Sequence, residues 1–193
     1  MKITFRNTLK GGRLVLKRNK PTLKTAQMIF KMIDENRDHL KPRLEWVDWT
    51  MQVEDTLKYL FEKEQKTEKW EMIQYGIFIN KEYIGNISIF DINLKSQSCQ
   101  MGYWLSSSHT RNGYMTEAVR ILEKEVFEKL KLNRIQIRCD ERNDASVRVA
   151  KKCGYIYEGR LRERSFSSYF KDLRNVLVFS KLLSEYKETK VSM

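Results

Sequence analysis

Residues 100–130 carry two hydrophobic patterns that meet at one glycine, and this junction orders the reading of the whole chain. Gln100-Met101-Gly102-Tyr103-Trp104-Leu105 is a short apolar and aromatic run of strand type. A polar loop follows, Ser106-Ser107-Ser108-His109-Thr110. Beyond Arg111-Asn112-Gly113, the residues Met115, Val119, Leu122, Val126 and Leu130 recur at helical spacing, with Ala118 and Ile121 beside them. A strand therefore leads through a loop into a helix that begins at a glycine. The first turn of a helix presents N–H groups with no intrahelical partner, at the positive end of the helix dipole. A glycine there lets a phosphate approach the backbone. The stretch reads as an anion site of pyrophosphate type. An ordinary loop with one glycine fits these residues too, and on this stretch alone both readings stand.

The rest of the chain narrows the class. A length of 193 residues suits a single domain spanning 1–193, with its core at about 13–183. No stretch approaches the roughly 18 apolar residues needed to span a bilayer. Met1-Lys2-Ile3-Thr4-Phe5-Arg6 lacks the apolar centre of a signal peptide, so a cytoplasmic protein is expected. Cys99, Cys139 and Cys153 are widely separated and read as small core residues. With two histidines and no CxxC pair, no metal site is expected. The formal net charge of +12 favours an anionic ligand or an acidic partner surface. A phosphate-rich cofactor fits, as does a ribosome or another RNA-rich particle. The basic residues are spread rather than blocked and lack an aromatic-basic RNA motif, so direct nucleic-acid binding is the secondary reading.

Taken in order, residues 1–12 form a short lead ending in Gly11-Gly12, and residues 13–18 alternate as a first strand. Pro21-Thr22 opens a helix to about residue 34, with Ala26, Ile29, Phe30 and Ile33 on its apolar face. Residues 36–49 contain Trp46, Trp49 and an internal proline and read as an irregular or broken helical segment; the tryptophans line a cleft or pack on the core. A second helix covers about 53–66. Strands at 75–79, 83–91 and 98–105 are linked closely enough for an antiparallel meander, and Gly85 marks a bulge or a close backbone contact. The glycine-led helix runs to about 131. Arg134–Asp140 alternates as a strand parallel to its predecessor across a crossover. Asn143-Asp144-Ala145-Ser146 turns into a helix closed by Gly154. Residues 155–164 and 172–183 are the last strands, and the tail from Ser184 reads as frayed. The fold class is α/β (α+β): a mixed, mostly antiparallel sheet of about seven strands flanked by about four helices.

This order of elements, with Asn36-Arg37-Asp38-His39-Leu40 and Trp46, Met101-Gly102-Tyr103-Trp104-Leu105, Gly113-Tyr114-Met115-Thr116-Glu117-Ala118, and Asn143-Asp144-Ala145-Ser146 with Lys152-Cys153-Gly154-Tyr155 and Glu158-Gly159, resembles the GNAT superfamily of acetyl-CoA-dependent N-acetyltransferases. Within it the chain is similar to ribosomal-protein N-terminal acetyltransferases of the RimJ/RimL type. The resemblance implies acetyl-CoA as co-substrate, with no metal. It implies that the 101–105 strand splays from the 134–140 strand, and that backbone groups in the gap, at Tyr103, Trp104 and Leu105, pair with the pantetheine arm. Amides at Arg111, Asn112, Gly113, Tyr114, Met115 and Thr116 would hold the pyrophosphate, and Asn143 would bond the pantetheine. Ser146 is the implied donor to the departing thiolate. For Asn143 and Ser146 the residues alone also admit simple helix capping. Trp46, Glu45 and Asp48 are the acceptor-side candidates.

The chain departs from the family pattern at four places. Arg111 stands where a glycine is usual and Gln100 where Glu is frequent. Ala150 occupies the position of a common tyrosine acid. Ser165 falls where RimJ/RimL-type enzymes have a Glu base, leaving Glu163, two residues earlier, as the candidate base. A weak base suits an acceptor that loses its proton unaided. An α-amine with a pKa near ~8 is roughly 10% neutral at pH 7, a lysine near ~10.4 well under 0.1%. The resemblance thus implies direct acetyl transfer to a primary amine, foremost a protein N-terminus such as a ribosomal protein's. The alternatives are a polyamine or aminoglycoside acetyltransferase and a non-catalytic acetyl-CoA-binding or RNA-associated module. A homodimer is compatible with the resemblance.

Overall fold

A computed structural model describes residues 5–191. Residues 1–4 of the expected lead and residues 192–193 of the expected tail lie outside the described residues. Eight strands, β1 (Thr8–Lys10), β2 (Leu14–Arg18), β3 (Met72–Ile79), β4 (Glu82–Asn93), β5 (Ser98–Leu105), β6 (Arg134–Asp140), β7 (Ile156–Ser167) and β8 (Asp172–Leu182), form one sheet in the order β1-β2-β3-β4-β5-β6-β8-β7. Every neighbouring pair is antiparallel except β5 and β6, which run parallel. Their connection is helix α4 (Tyr114–Lys124), continued by a π turn at Glu125–Lys129, because a parallel pair needs a long crossover. The other helices are α1 (Leu23–Asp34), α2 (Arg37–Leu40), α3 (Val53–Glu68), α5 (Asp144–Lys152) and α6 (Leu183–Val191), with a 3₁₀ turn at Glu45–Asp48.

Each face of the sheet is covered by what its sequence pattern dictates. Met115, Ala118, Val119 and Leu122 of α4 are buried on one face with Ala150 of α5 and the inward residues Cys99, Met101, Ile135, Ile137 and Cys139. Ala26, Ile29 and Ile33 of α1, spaced three and four apart, are buried on the other face with Leu40, Val47, Leu60 and Tyr83. Thr22 caps α1, its Oγ1 accepting from the N–H of Thr25 at 3.2 Å. Strand alternation therefore assigns each residue of β5 and β6 to the α4–α5 face or to the α1–α3 face.

Two elements differ from the sequence expectation. The lead contains β1, which pairs with β2 and buries only Leu9, too little apolar signal to mark a strand. Over residues 184–191 the tail is not frayed: it belongs to α6, whose Tyr186 packs on Phe127, with ring centroids 4.9 Å apart, and donates to Glu128. The expected irregularity at Gly85 is present. The β3–β4 register shifts beside it, and a Cβ at residue 85 would overlap the Trp104 carbonyl oxygen. No helix among the described residues is long and apolar enough to cross a membrane.

Candidate active site

β5 and β6 pair only from Ser98 with Arg134 to Met101 with Ile137. Beyond that point each strand stays with its other neighbour. Gly102, Tyr103, Trp104 and Leu105 remain on β4 opposite Ser88 to Gly85, while Arg138, Cys139 and Asp140 remain on β8 opposite Val178 to Val176. The gap is thus held open by two complete ladders, and the facing edges of β5 and β6 keep backbone donors and acceptors unpaired with each other. A cavity of about 850 Å³ occupies this split and extends to both faces of the sheet.

At one end of the cavity lies the loop into α4. Among the described residues, none of the N–H groups from Arg111 to Thr116 donates to a protein acceptor; the next, Glu117 N–H, returns to the Gly113 carbonyl at 3.0 Å. Arg111 and Gly113 both have left-handed backbone, φ 64° and 77°, which curls the loop so that successive amides converge. Gly113 suits φ > 0 without strain, whereas Arg111 adopts it at some cost. The first acidic residue of α4 turns away from this concavity. Glu117 accepts from the Arg13 N–H at 2.7 Å, from Arg13 Nε at 2.8 Å and from the Leu14 N–H at 3.1 Å, fixing the helix start against β2. The helix dipole is left unopposed on the loop side, a site suited to an anion.

Near the middle of the split, Ser146 Oγ lies 3.0 Å from the Tyr103 hydroxyl. Ser146 is buried near the start of α5, which Asn143 caps: Asn143 Oδ1 accepts from the Ser146 N–H at 3.1 Å. Capping uses that oxygen, and Asn143 Nδ2 has no partner among the described residues. Burial pushes the Tyr103 hydroxyl well up, so it stays protonated and can donate. Burial raises the Cys139 thiol too, with a hydrogen bond from Ser146 acting against it. A neutral Tyr–Ser pair beside a gap of unpaired backbone groups can pass a proton to a leaving anion.

The α1–α3 face of the cavity is built from arginines. Arg142 clamps Asp140, with Nε at 3.2 Å and Nη2 at 3.1 Å, and reaches Asp172 at 2.8 Å. Arg174 bonds Ser165 Oγ at 2.9 Å and Glu45 at 2.7 Å. Asp140 feels burial first, which opposes its charge, but the hydrogen bonds and charges of Arg142 and Arg174 hold it below the usual carboxylate range. Arg43, Arg138 and Arg164 also line the cavity.

The profile of the family described as "Acetyltransferase (GNAT) domain" matches residues 13–156, three-quarters of the chain. The chain belongs to the GNAT acetyltransferase family. A Bacillus subtilis (strain 168) relative named "Probable N-acetyltransferase YjcK" is 38% identical over 114 residues, 58% of this chain and 63% of YjcK, so the chain matches less than two thirds of that relative's length. The "Ribosomal-protein-serine acetyltransferase" of Escherichia coli (strain K12) is 29% identical over 138 residues, 72% of this chain and 77% of that protein. Among solved structures, RimL, a ribosomal L7/L12 alpha-N-protein acetyltransferase in complex with coenzyme A, superposes with a TM-score of 0.86 at 20% identity. That superposition covers 92% of this chain and 99% of RimL, which establishes the shared fold.

In this GNAT chain the cavity lining brings together Tyr103, Trp104, Leu105, Arg111, Gly113, Tyr114, Met115, Thr116, Asn143 and Ser146. Asn112 frames the loop, its carbonyl accepting from Arg13 at 3.1 Å. The acceptor candidates are more dispersed. Glu45 meets the site only through Arg174, Asp48 pairs with Lys41 at 3.1 Å, and Trp46 packs 6.3 Å from Trp104 beneath the α1–α3 face. Glu163 lies outside the lining. The β7–β8 register shifts between Leu161 and Ser165, and Glu163 sits in that bulge with φ 48°, so a step of two residues does not preserve the face. Ser165 lines the cavity instead. The five arginines were missed by sequence reading, because they come from separated segments and none stands in a local motif.

Proposed function

We propose that the protein transfers an acetyl group from acetyl-CoA to the α-amine of a protein N-terminus, by direct attack with both reactants in one cleft. The observation that carries this reading is the split between β5 and β6, which leads from six unpaired amides at the α4 start to the Tyr103–Ser146 pair. Acetyl-CoA supplies an activated thioester. The Arg111–Thr116 amides hold a pyrophosphate at the positive end of α4. Asn143 Nδ2 and the free strand edges are suited to the amides of a pantetheine arm. An unpaired N–H on the β5 edge stabilises the negative charge that develops on a carbonyl oxygen under attack. Tyr103 and Ser146 return a proton to the sulfur.

The acceptor face supports an α-amine over a lysine. Asp140 of the lining and Glu45 beside it are both engaged by arginine, which leaves Asp144, at the start of α5, as the lining carboxylate without an arginine partner among the described residues. An acceptor with a pKa near ~8 needs no strong base. A ribosomal protein is the proposed target class, on the likeness to the E. coli ribosomal-protein-serine enzyme. The test is acetyl-CoA-dependent release of CoA with three acceptors: a peptide with a free N-terminus, the same peptide N-blocked but bearing Lys, and spermidine. Turnover with the free N-terminus alone is expected. Turnover with spermidine alone would overturn the reading in favour of a small-amine acetyltransferase.

A further inference from the structure

Resting on the transfer reading above, we infer that the acceptor end of the cavity selects α-amines whose following residues are acidic, a protein N-terminus with Asp or Glu within its first few positions. The elements that carry them separate the cavity's basic residues into two groups. Arg111, Arg148 and Lys152 belong to the α4 and α5 side, with the amides suited to phosphate. Arg43, Arg138, Arg142 and Arg174 lie toward β6 and β8, with Arg164 next to Ser165, the residue paired with Arg174; among the described residues the carboxylates in contact with these arginines are Asp140, Asp172 and Glu45. Arg142 and Arg174 take all three.

The remaining arginines have no carboxylate partner among the described residues. Arg43 is the most telling. It is half-buried, its guanidinium donates to the carbonyls of Pro42 at 3.3 Å and Arg142 at 3.1 Å, and its carbon lies 5.9 Å from the Phe170 ring that also carries Arg142 at 4.4 Å. A guanidinium fixed in place, partly desolvated and without a counter-charge is preorganised for an anion from outside. Arg138 and Arg164 are exposed and stand on β6 and β7. Cations reaching the cavity from three different elements match carboxylates spaced along a peptide better than one compact phosphate. The same surplus repels a lysine-rich chain or a polyamine.

The test uses the full chain and three free-N-terminus peptides that differ only at positions two and three, carrying Asp-Glu, Asn-Gln or Lys-Lys. CoA release gives kcat/KM, and fluorescence anisotropy on the CoA-loaded protein gives binding independently of turnover. The acidic peptide is expected to lead the neutral one by about tenfold, with the lead shrinking at high salt, and the basic peptide to trail. Arg164→Glu, at an exposed position that leaves folding intact, is expected to erase the lead and raise the basic peptide. Arg138→Gln is expected to reduce the lead without raising the basic peptide. Equal kcat/KM for acidic and neutral peptides, or a lead untouched by both variants, would overturn the inference while leaving acetyl transfer standing. Selective binding of the acidic peptide with no turnover would support the inference and sink the transfer reading. No selective binding and no turnover would sink both.

Discussion

Ser146 and Tyr103 each give the other its hydrogen-bond partner, and this makes a prediction about additivity. The hydroxyls are 3.0 Å apart, and either can be the donor. If they deliver one proton together, Ser146→Ala and Tyr103→Phe should each lower kcat by about 10²-fold, and the double variant should lose little more than either alone. Affinity for CoA, measured by calorimetry, should change far less than kcat, because Asn143 caps α5 through the Ser146 N–H, which alanine retains. Multiplying losses in the double variant would show two independent roles. The acceptor's proton makes a second prediction. Of the two lining carboxylates, Asp140 and Asp144, Asp140 is bound to arginine and held below the usual carboxylate range, so it does not titrate near neutrality. The neutral amine is the nucleophile. Rate with a free N-terminus should therefore rise with pH and level off near the acceptor's own pKa of about 8. A peptide with a lower α-amine pKa should shift the whole profile down; a midpoint indifferent to the acceptor would point to a base on the protein.

At the scale of elements, the α4 start closes one end of the split, and Glu117 ties it to β2. Burial works against the Glu117 charge, but the Arg13 and Leu14 donors outweigh it and lower its pKa. A carboxylate depressed in the folded state contributes stability above its unfolded pKa of about 4.3, and that contribution is lost as pH falls through the folded value. Glu117→Gln should therefore cost about 1–2 kcal/mol at pH 7. The difference between variant and parent in urea midpoint should narrow at pH 3, and a constant gap would mean that packing dominates. The same element explains what the sequence disclosed. The strand-to-helix junction, the crossover and the Asn143 cap are local signals, written within a few residues of one another, and all were legible. Leu9 alone marks β1, and the polar run of α6 hides one buried tyrosine, so neither element had a period to detect. Arg138 on β6 reads as any solvent-facing strand position. Only the sheet order brings it to the same cavity as Arg43, Arg164 and Arg174. The bulge that removes Glu163 from the lining is likewise a property of pairing with β8, invisible in the alternation of one strand.

At the scale of the molecule, α4 and α5, the two helices beside the split, are anchored to the sheet by a buried ion pair. Lys181 of β8 is 3% exposed; its Nζ lies 3.3 Å from Glu123 of α4 and donates at 2.7 Å to the carbonyl of Cys153, which closes α5. It also lies 5.7 Å from the Tyr186 ring of α6. One ammonium on β8 thus meets three helices, α4, the close of α5 and α6. Burial raises the pKa of Glu123, and the charge and hydrogen bonds of Lys181 oppose that rise. Desolvating both charges costs much of what their attraction returns, so the pair need not be a large net stabiliser; removing one partner, however, strands the other in an apolar interior. Lys181→Met should therefore lower stability by about 3–5 kcal/mol, whereas Lys181→Met combined with Glu123→Leu should recover a large part of that loss. Denaturant midpoints for the parent, both single variants and the double variant measure the coupling directly. If the pair also sets the spacing of α4 and α5, the double variant will regain stability but not CoA affinity, because an apolar pair restores burial without the Lys181 bond to the Cys153 carbonyl. Recovery of both would assign the pair to stability alone, and failure to recover either would mean that the bond to α5, rather than the ion pair, is what the fold requires.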